Sequence, residues 1–428
     1  MISYRKLAMR VLGHSPVSAP KTARRRSTAK RAAALALTAA LVVGMTLPAF
    51  AQDWYIDAGD ISISAGENGN NVTQNGTTTT DPTDTVIKSN GSSSNTVTIH
   101  ADEGKTVNVT LDNVNIDTSE TWKAAVSVTG KGDTNIELNG NNTLTSGDGY
   151  AGLEHNKKTD SEGKETSGTL TITDDKGDAG KLTATGGNQS AGIGGGSGND
   201  GQAAITGGEI IAKGGNYGAG IGGGDVGNGT VTITGGSITA TGGRLAAGIG
   251  GGAGKYQAVG GNGDVKISGG TIIATGGYEG AGIGGGNEKD GQVTITGGEI
   301  IANGGDGSAG IGGGYSGNGT VTISGGTVTE ASGGGEGAGI GGGDSGNGTV
   351  NISGGTITKA SGGYYGAGIG GGSSGLGNVS IEGNVTIKNA QGGVGAAGIG
   401  GGARGTSDAA GNGNKISIKS TAAGSPNI

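Results

Sequence analysis

Cysteine is absent from the chain, so no disulfide and no thiolate chemistry contributes to its fold or function. Phenylalanine occurs once, at Phe50, and the methionines Met1, Met9 and Met45 also precede residue 52. A core built around phenylalanine and methionine is thereby excluded from the rest of the chain. No proline falls between Pro82 and Pro426. Beyond residue 51 there are two histidines, His100 and His155, in separate segments, and two arginines, Arg244 and Arg404. No metalloprotease-type pair of histidines one helical turn apart is present, and little remains from which to assemble an acid, a base or a nucleophile. A solvated loop is the expected place for His155. Nine of the 28 cations lie in the first 51 residues and all 35 anions lie after them, so the net charge falls from −7 to −16 beyond that point. A body this acidic argues against nucleic acid as a partner.

The first 51 residues have the layout of an export signal. A basic region ending in Lys30 and Arg31 is followed by the apolar stretch from Ala32 to Ala51, and Ala49, Phe50 and Ala51 form a small-x-small end. Cleavage is expected before Gln52, which places the mature protein outside the cell or on its surface. No second apolar span follows, so a transmembrane segment is not expected in the mature chain.

What is abundant is glycine, 105 residues, arranged in a repeat. The string AGIGGG occurs eight times, its isoleucine at Ile193, Ile221, Ile249, Ile283, Ile311, Ile340, Ile369 and Ile399. The intervals are 28, 28, 34, 28, 29, 29 and 30 residues, and degenerate copies lie at Val126 and Leu153. Between copies the grammar is constant. A polar turn leads into TVTIT, a Gly pair into SITAT, and a second Gly pair into a variable turn before AGIGGG. Val231 and Ile233 alternate with threonine, as do Ile238 and Ala240, which is the period of a strand with one apolar face. Three short sides in 28 residues describe a triangular coil, and about ten coils stack in parallel as a β-solenoid. Parallel crossovers make such a stack right-handed. The fold class is therefore all-β, a right-handed parallel β-helix.

The boundaries follow from departures from that grammar. Residues 1–51 are the signal, 52–95 an N-terminal cap strand with Trp54 and Tyr55 followed by a mobile polar loop from Glu67 to Thr85. The repeats occupy 96–402, and 403–428 hold a last strand, NKISIKS, and a tail. Insertions at Asn156 and around Tyr256 mark loops. Longer second strands at TVTEAS, TITKAS and VTIKNAQ read as bulges that turn Glu330, Lys359 and Lys388 outward. The outward residues of the second strand, Thr183, Ile211, Thr239, Ile273, Ile301, Thr329, Thr358 and Thr386, make a β-branched stripe.

Candidate chemistry concentrates in the variable turn. Tyr217, Tyr278, Tyr364 and Tyr365 fall in one row along the stack, with Arg244, Asp306 and Glu336 between them. A tyrosine offers a sugar ring an apolar face and a polar tip, so Tyr217, Arg244, Tyr278, Tyr364 and Tyr365 are the candidate carbohydrate contacts. Asp174, Asp175 and Asp178 cluster in TDDKGDAG, and Asp225 and Asp344 recur in the turn GGGDxGNG. A Ca²⁺ site or a solvated turn accounts for either group. The reading adopted is a turn, with no metal and no cofactor.

The repeats AGIGGG, TVTITGG and SITATGG, with VNVTLDNVNI and TNIELNGNNTLTSG upstream, resemble bacterial surface proteins of the right-handed parallel β-helix type. These include carbohydrate-binding β-helix domains related in fold to polysaccharide lyases. The resemblance covers roughly Thr96 to Ile399 and implies an adhesin-like or carbohydrate-binding protein, not an enzyme, that presents a rigid surface to an extracellular polysaccharide or cell-surface glycan. The alternatives are a polysaccharide lyase or glycoside hydrolase using acids from Asp174 to Asp178, and a structural spacer.

Overall fold

In the computed structural model, residues 52–82, 84–177, 179–254, 259–405, 413–420 and 424–428 are described. Residues 1–51, where an export signal is expected, Asp178 and the inserted Tyr256 lie outside them. The described chain is a parallel solenoid with three strands per coil. In the Thr230 coil these are Gly229–Ile233, Ser237–Thr241 and Ile249–Gly250. Each pairs with its equivalent one coil on: Val231 with Val265, Ile238 with Ile272 and Ile249 with Ile283. The closing ladder has 14 strands, two of which belong to an antiparallel hairpin, so twelve coils stack in parallel. At about 4.7–4.9 Å per coil the stack is roughly 55–60 Å long.

The inward residues are those the alternation assigns. Val231, Ile233, Ile238, Ala240 and Ile249 are each 1% exposed or less, and the same positions are filled from coil to coil. One coil has no second layer against which to bury this face, so burial exists only in the stack.

The glycine after each isoleucine has a definite task. Gly194, Gly222, Gly250, Gly284, Gly312, Gly341, Gly370 and Gly400 all have φ between 124° and 142°. A side chain there is strained by the backbone angle alone. Upstream, the closing strand runs for five residues, Val97–Ala101 and Val126–Gly130, with Ser127 at the equivalent place. From Ile193 on it shrinks to two residues, because the positive-φ glycine ends the extended run.

A polar ladder reinforces one corner. The side-chain oxygen of Asp200 accepts the backbone N–H of Asn228 (2.7 Å), and Asn228 does the same for Asn262 (2.9 Å). The relay continues through Asp290, Asn318 and Asn347 to the N–H of Leu376. Asn and Asp suit this role because a short side-chain oxygen satisfies backbone donors that a corner leaves unpaired.

Three expectations need correction. The stretch from Glu67 to Thr85, expected as a loop, contains the strands Asn70–Gln74 and Thr77–Asp81, which form an antiparallel hairpin against Ile61–Ala65. Asn75 and Gly76, at φ 53° and 74°, make the two-residue turn. An Asn-Gly pair between polar β-formers is the hairpin signal. His155 is not in a solvated loop. It is 1% exposed, with Nε2 2.8 Å from the Gly168 carbonyl and Nδ1 3.3 Å from the Val128 carbonyl. It sits in a strand, Leu153–His155, where Glu154 occupies the place of Gly194, and burial pushes the Glu154 carboxyl above its usual range.

The outward stripe is also interrupted. A register shift after Ile300 pairs Ile301 with Glu330, not with Thr329. Thr386 pairs with Thr356, and Ala360 with Ala390, which puts Lys388 level with Thr358 and leaves Asn389 beside Lys359. The bulge therefore turns Glu330 and Lys359 into one row, bonded at 2.6 Å, and leaves Lys388 out of it.

Candidate functional site

The variable turn has two side-chain positions, and they do different things. At the first, backbone N–H groups bond along the stack: Arg244 to the Asn216 carbonyl, Tyr278 to that of Arg244, Tyr364 to that of Gly335 and Val394 to that of Tyr364. These side chains project outward, and Tyr278, Tyr364 and Val394 are 56%, 60% and 60% exposed. At the second position the carbonyl accepts an N–H from the polar turn after GGG, as Tyr217 does from Ala253 and Tyr365 from Ala403. Tyr217 and Tyr365 are half-buried there, and the Tyr365 ring meets Arg404 of the polar turn. The single row of tyrosines is thus two rows, Tyr278 with Tyr364 and Tyr217 with Tyr365.

The five candidate residues do not converge. Tyr278 and Tyr364 are three coils apart, about 14 Å, and Tyr217 and Tyr365 five coils, about 24 Å. Tyr278 adjoins Asp306 instead, and Arg244 lies one coil before Tyr278. The Tyr278 phenol hydrogen-bonds to the Asp306 carboxylate, which with its charge holds the phenol above its ordinary value.

Tyr364 and Tyr365 do share a site. Their rings meet edge to face, centroids 4.5 Å apart at 74°. The Arg404 guanidinium lies over the Tyr365 ring at 4.4 Å and is 3.9 Å from the Glu336 carboxylate. The pair fixes Tyr365, and Tyr365 props Tyr364 at the rim of a shallow groove of about 570 Å³. Lys359, Ser361, Gln391 and Val394 complete that rim, and glycines at 335, 362, 363, 392 and 393 make the floor. The Ser361 Oγ is buried without a hydrogen-bond partner. Lys359, followed by Ser332, hydrogen-bonds Glu330 and holds its carboxyl below the usual range. The groove thus combines an exposed aromatic face, a serine and a glutamine, and a backbone floor with no side chains to block approach.

Behind Tyr365 lies a second feature. Burial, and next the facing Glu336 carboxyl, push Asp344 up to about 6 from 3.8. The folded chain therefore holds a proton that the unfolded chain releases, and Asp344 supports the fold below pH 4 and loses that contribution as pH rises toward 6. Asp344→Asn is expected to raise the thermal midpoint above pH 6 and leave it unchanged at pH 3.5. Unfolding scans between pH 3.5 and 7.5 check this, and an offset equal at every pH would contradict it.

Two members of this corner were not singled out in the sequence, and a signal existed for one. Tyr315 follows GGG where other coils have Ser197, Asp225, Ala253 or Ser373, while Gly307 stands where other coils have Tyr217, Glu336 or Tyr365. The ring fills the gap, since a Cβ on Gly307 would lie 2.4 Å from Tyr315 Cδ2. Volume removed from one position and added at its neighbour marks a contact. Arg404 had no such marker beyond its charge.

Seven consecutive segments, 178–197, 204–225, 231–253, 265–287, 293–315, 321–344 and 350–373, match the family model described as a beta helix repeat. The chain is a right-handed parallel β-helix protein. No curated protein and no solved structure matches this β-helix, and its repeat is a scaffold carried by enzymes and non-enzymes alike. Among the described residues of the β-helix, no group of three or more His, Asp or Glu side chains is placed to hold a metal ion. None of its described helices is long and apolar enough to cross a membrane.

Proposed function

We propose that this β-helix is an exported, non-enzymatic protein that binds extracellular glycans, adhesin-like in action, through the groove beside Tyr364. The supporting observation is the exposed Tyr364 ring, held by Tyr365 and Arg404 at the rim of a glycine-floored groove, with the unpartnered Ser361 hydroxyl in that rim. A sugar ring has the same division of surfaces, an apolar face and a hydroxyl edge, and stacks on such a platform. The layout of residues 1–51 supports delivery outside the cell.

A glycan array probed with the mature chain is expected to give a signal that Tyr364→Ala weakens about tenfold, the loss of one stacked ring. Tyr217→Ala, five coils away, is expected to leave it unchanged. No signal, or a signal insensitive to Tyr364→Ala, would refute the proposal. Release of unsaturated or reducing sugar from pectin-like polymers would overturn its non-enzymatic clause.

A further inference from the structure

A second cleft, of about 470 Å³, lies on the outward face of the first-strand ladder near the N-terminal end, away from the Tyr364 groove. Two rungs make its floor: Asn108, Asn135 and Thr171 in one, Thr110, Glu137 and Thr173 in the other. Glu137 is 8% exposed, and its oxygens accept the backbone N–H groups of Asp175 (3.2 Å) and Lys176 (2.9 Å). That carboxylate is occupied in holding the 175–176 segment up as a wall. Lys176 in turn meets Asp84 at 3.2 Å, so both of those charges are answered within the protein.

What remains is specific. Thr110 points outward by alternation yet is 6% exposed, and its Oγ1 has no hydrogen-bond partner, nor has that of Thr173. Buried hydroxyls are ordinarily bonded, so two in one cleft mark missing partners. The Asn135 amide nitrogen donates to Asn108 Oδ1 (2.9 Å), which leaves the side-chain oxygen and one N–H of Asn135 and both side-chain N–H groups of Asn108 for other partners. The wall adds the Asp175 carboxylate, and with three carboxylates against one ammonium the cleft is negative.

We infer that this cleft binds an amino-sugar oligosaccharide, its ammonium against Asp175 and its hydroxyls on Thr110, Thr173 and the Asn108–Asn135 pair. The chemistry selects that class. A polyuronate would bring like charge to the cleft, and an uncharged glycan would leave Asp175 unused.

Calorimetric titration of the mature chain with the β-1,4 glucosamine pentamer, at pH 6 and 0.15 M salt, tests this. Saturable binding is expected, at least tenfold weaker with Asp175→Asn, with Asn135→Ala, and with the fully N-acetylated pentamer. Thr110→Val is a further variant, and the substitutions at exposed Asp175 and half-buried Asn135 keep the test valid if it fails to fold. Glu382→Gln, remote from the cleft, is expected to leave the affinity unchanged. No binding, or binding unaffected by Asp175→Asn, would overturn the inference. Equal weakening by Glu382→Gln would reduce it to general attraction of a polycation and overturn it as well. Loss with Tyr364→Ala alone would overturn the cleft while sparing the Tyr364 groove, so the two sites fail separately.

Discussion

Gly284→Ala is expected to destabilise the solenoid by about 3 kcal/mol or more. Gly284 has φ 137°, and a Cβ built on it lies 1.9 Å from the carbonyl oxygen of Gly312 in the next coil. Two costs add. The backbone angle is one that alanine rarely adopts, about 1–3 kcal/mol, and the coils must part or twist to clear the methyl group. Gly400 separates them. It has φ 142°, no further closing strand lies beyond it among the described residues, and its nearest neighbour for a new Cβ is the Ala397 methyl at 3.1 Å. Gly400→Ala therefore carries the angle without the backbone collision. Denaturant unfolding of both variants is expected to show the larger loss for Gly284→Ala. Equal losses would mean that the spacing of the coils plays no part in selecting glycine.

Ile311→Ala is expected to cost about 2–5 kcal/mol. The side chain is fully buried and stacks between Ile283 and Ile340. The ladder above and below is held by backbone hydrogen bonds, so the vacated space cannot close by sliding one coil toward its neighbour. Ile273→Ala is the comparison. That isoleucine belongs to the outward row of the second strand and is 40% exposed, so its change is expected to stay within about 0.5 kcal/mol. Unfolding free energies measured in denaturant decide the matter. A similar loss at both positions would mean that the outward stripe is covered in solution.

The two variants probe the same design from opposite sides. Isoleucine fills the interior of the coil, and glycine lets the next coil approach. Neither role is visible in an isolated 28-residue unit, because each is defined by the coil above and below.

At the Tyr364 groove, the variable turn was legible as the place where coils differ, and Tyr364 and Tyr365 were legible as aromatics within it. Their division of labour was not. The offset of one residue between Tyr364 and Tyr365 decides whether a ring faces solvent or the polar turn, and the backbone bonds of Gly335 and Ala403 set that. Arg404 is 39 residues further along and reaches Tyr365 because one coil brings it back. The same holds for Lys359 and Glu330, which a bulge places in one row.

Period and alternation are local properties of a chain, and they sufficed here for the strands, the inward face, the closing isoleucine ladder and the parallel stack. Turn chemistry is local too: the Asn75-Gly76 pair marks the hairpin, although the polar stretch around it was expected as a loop. Which side chains become neighbours at a corner depends instead on the register between coils, the bulges that shift it and the volume left by the coil beside. Those are properties of the stack. Accordingly the raised Asp344 carboxyl, the burial of His155, the support of Tyr364 and the polar cleft at Thr110 were settled only when the coils closed on one another.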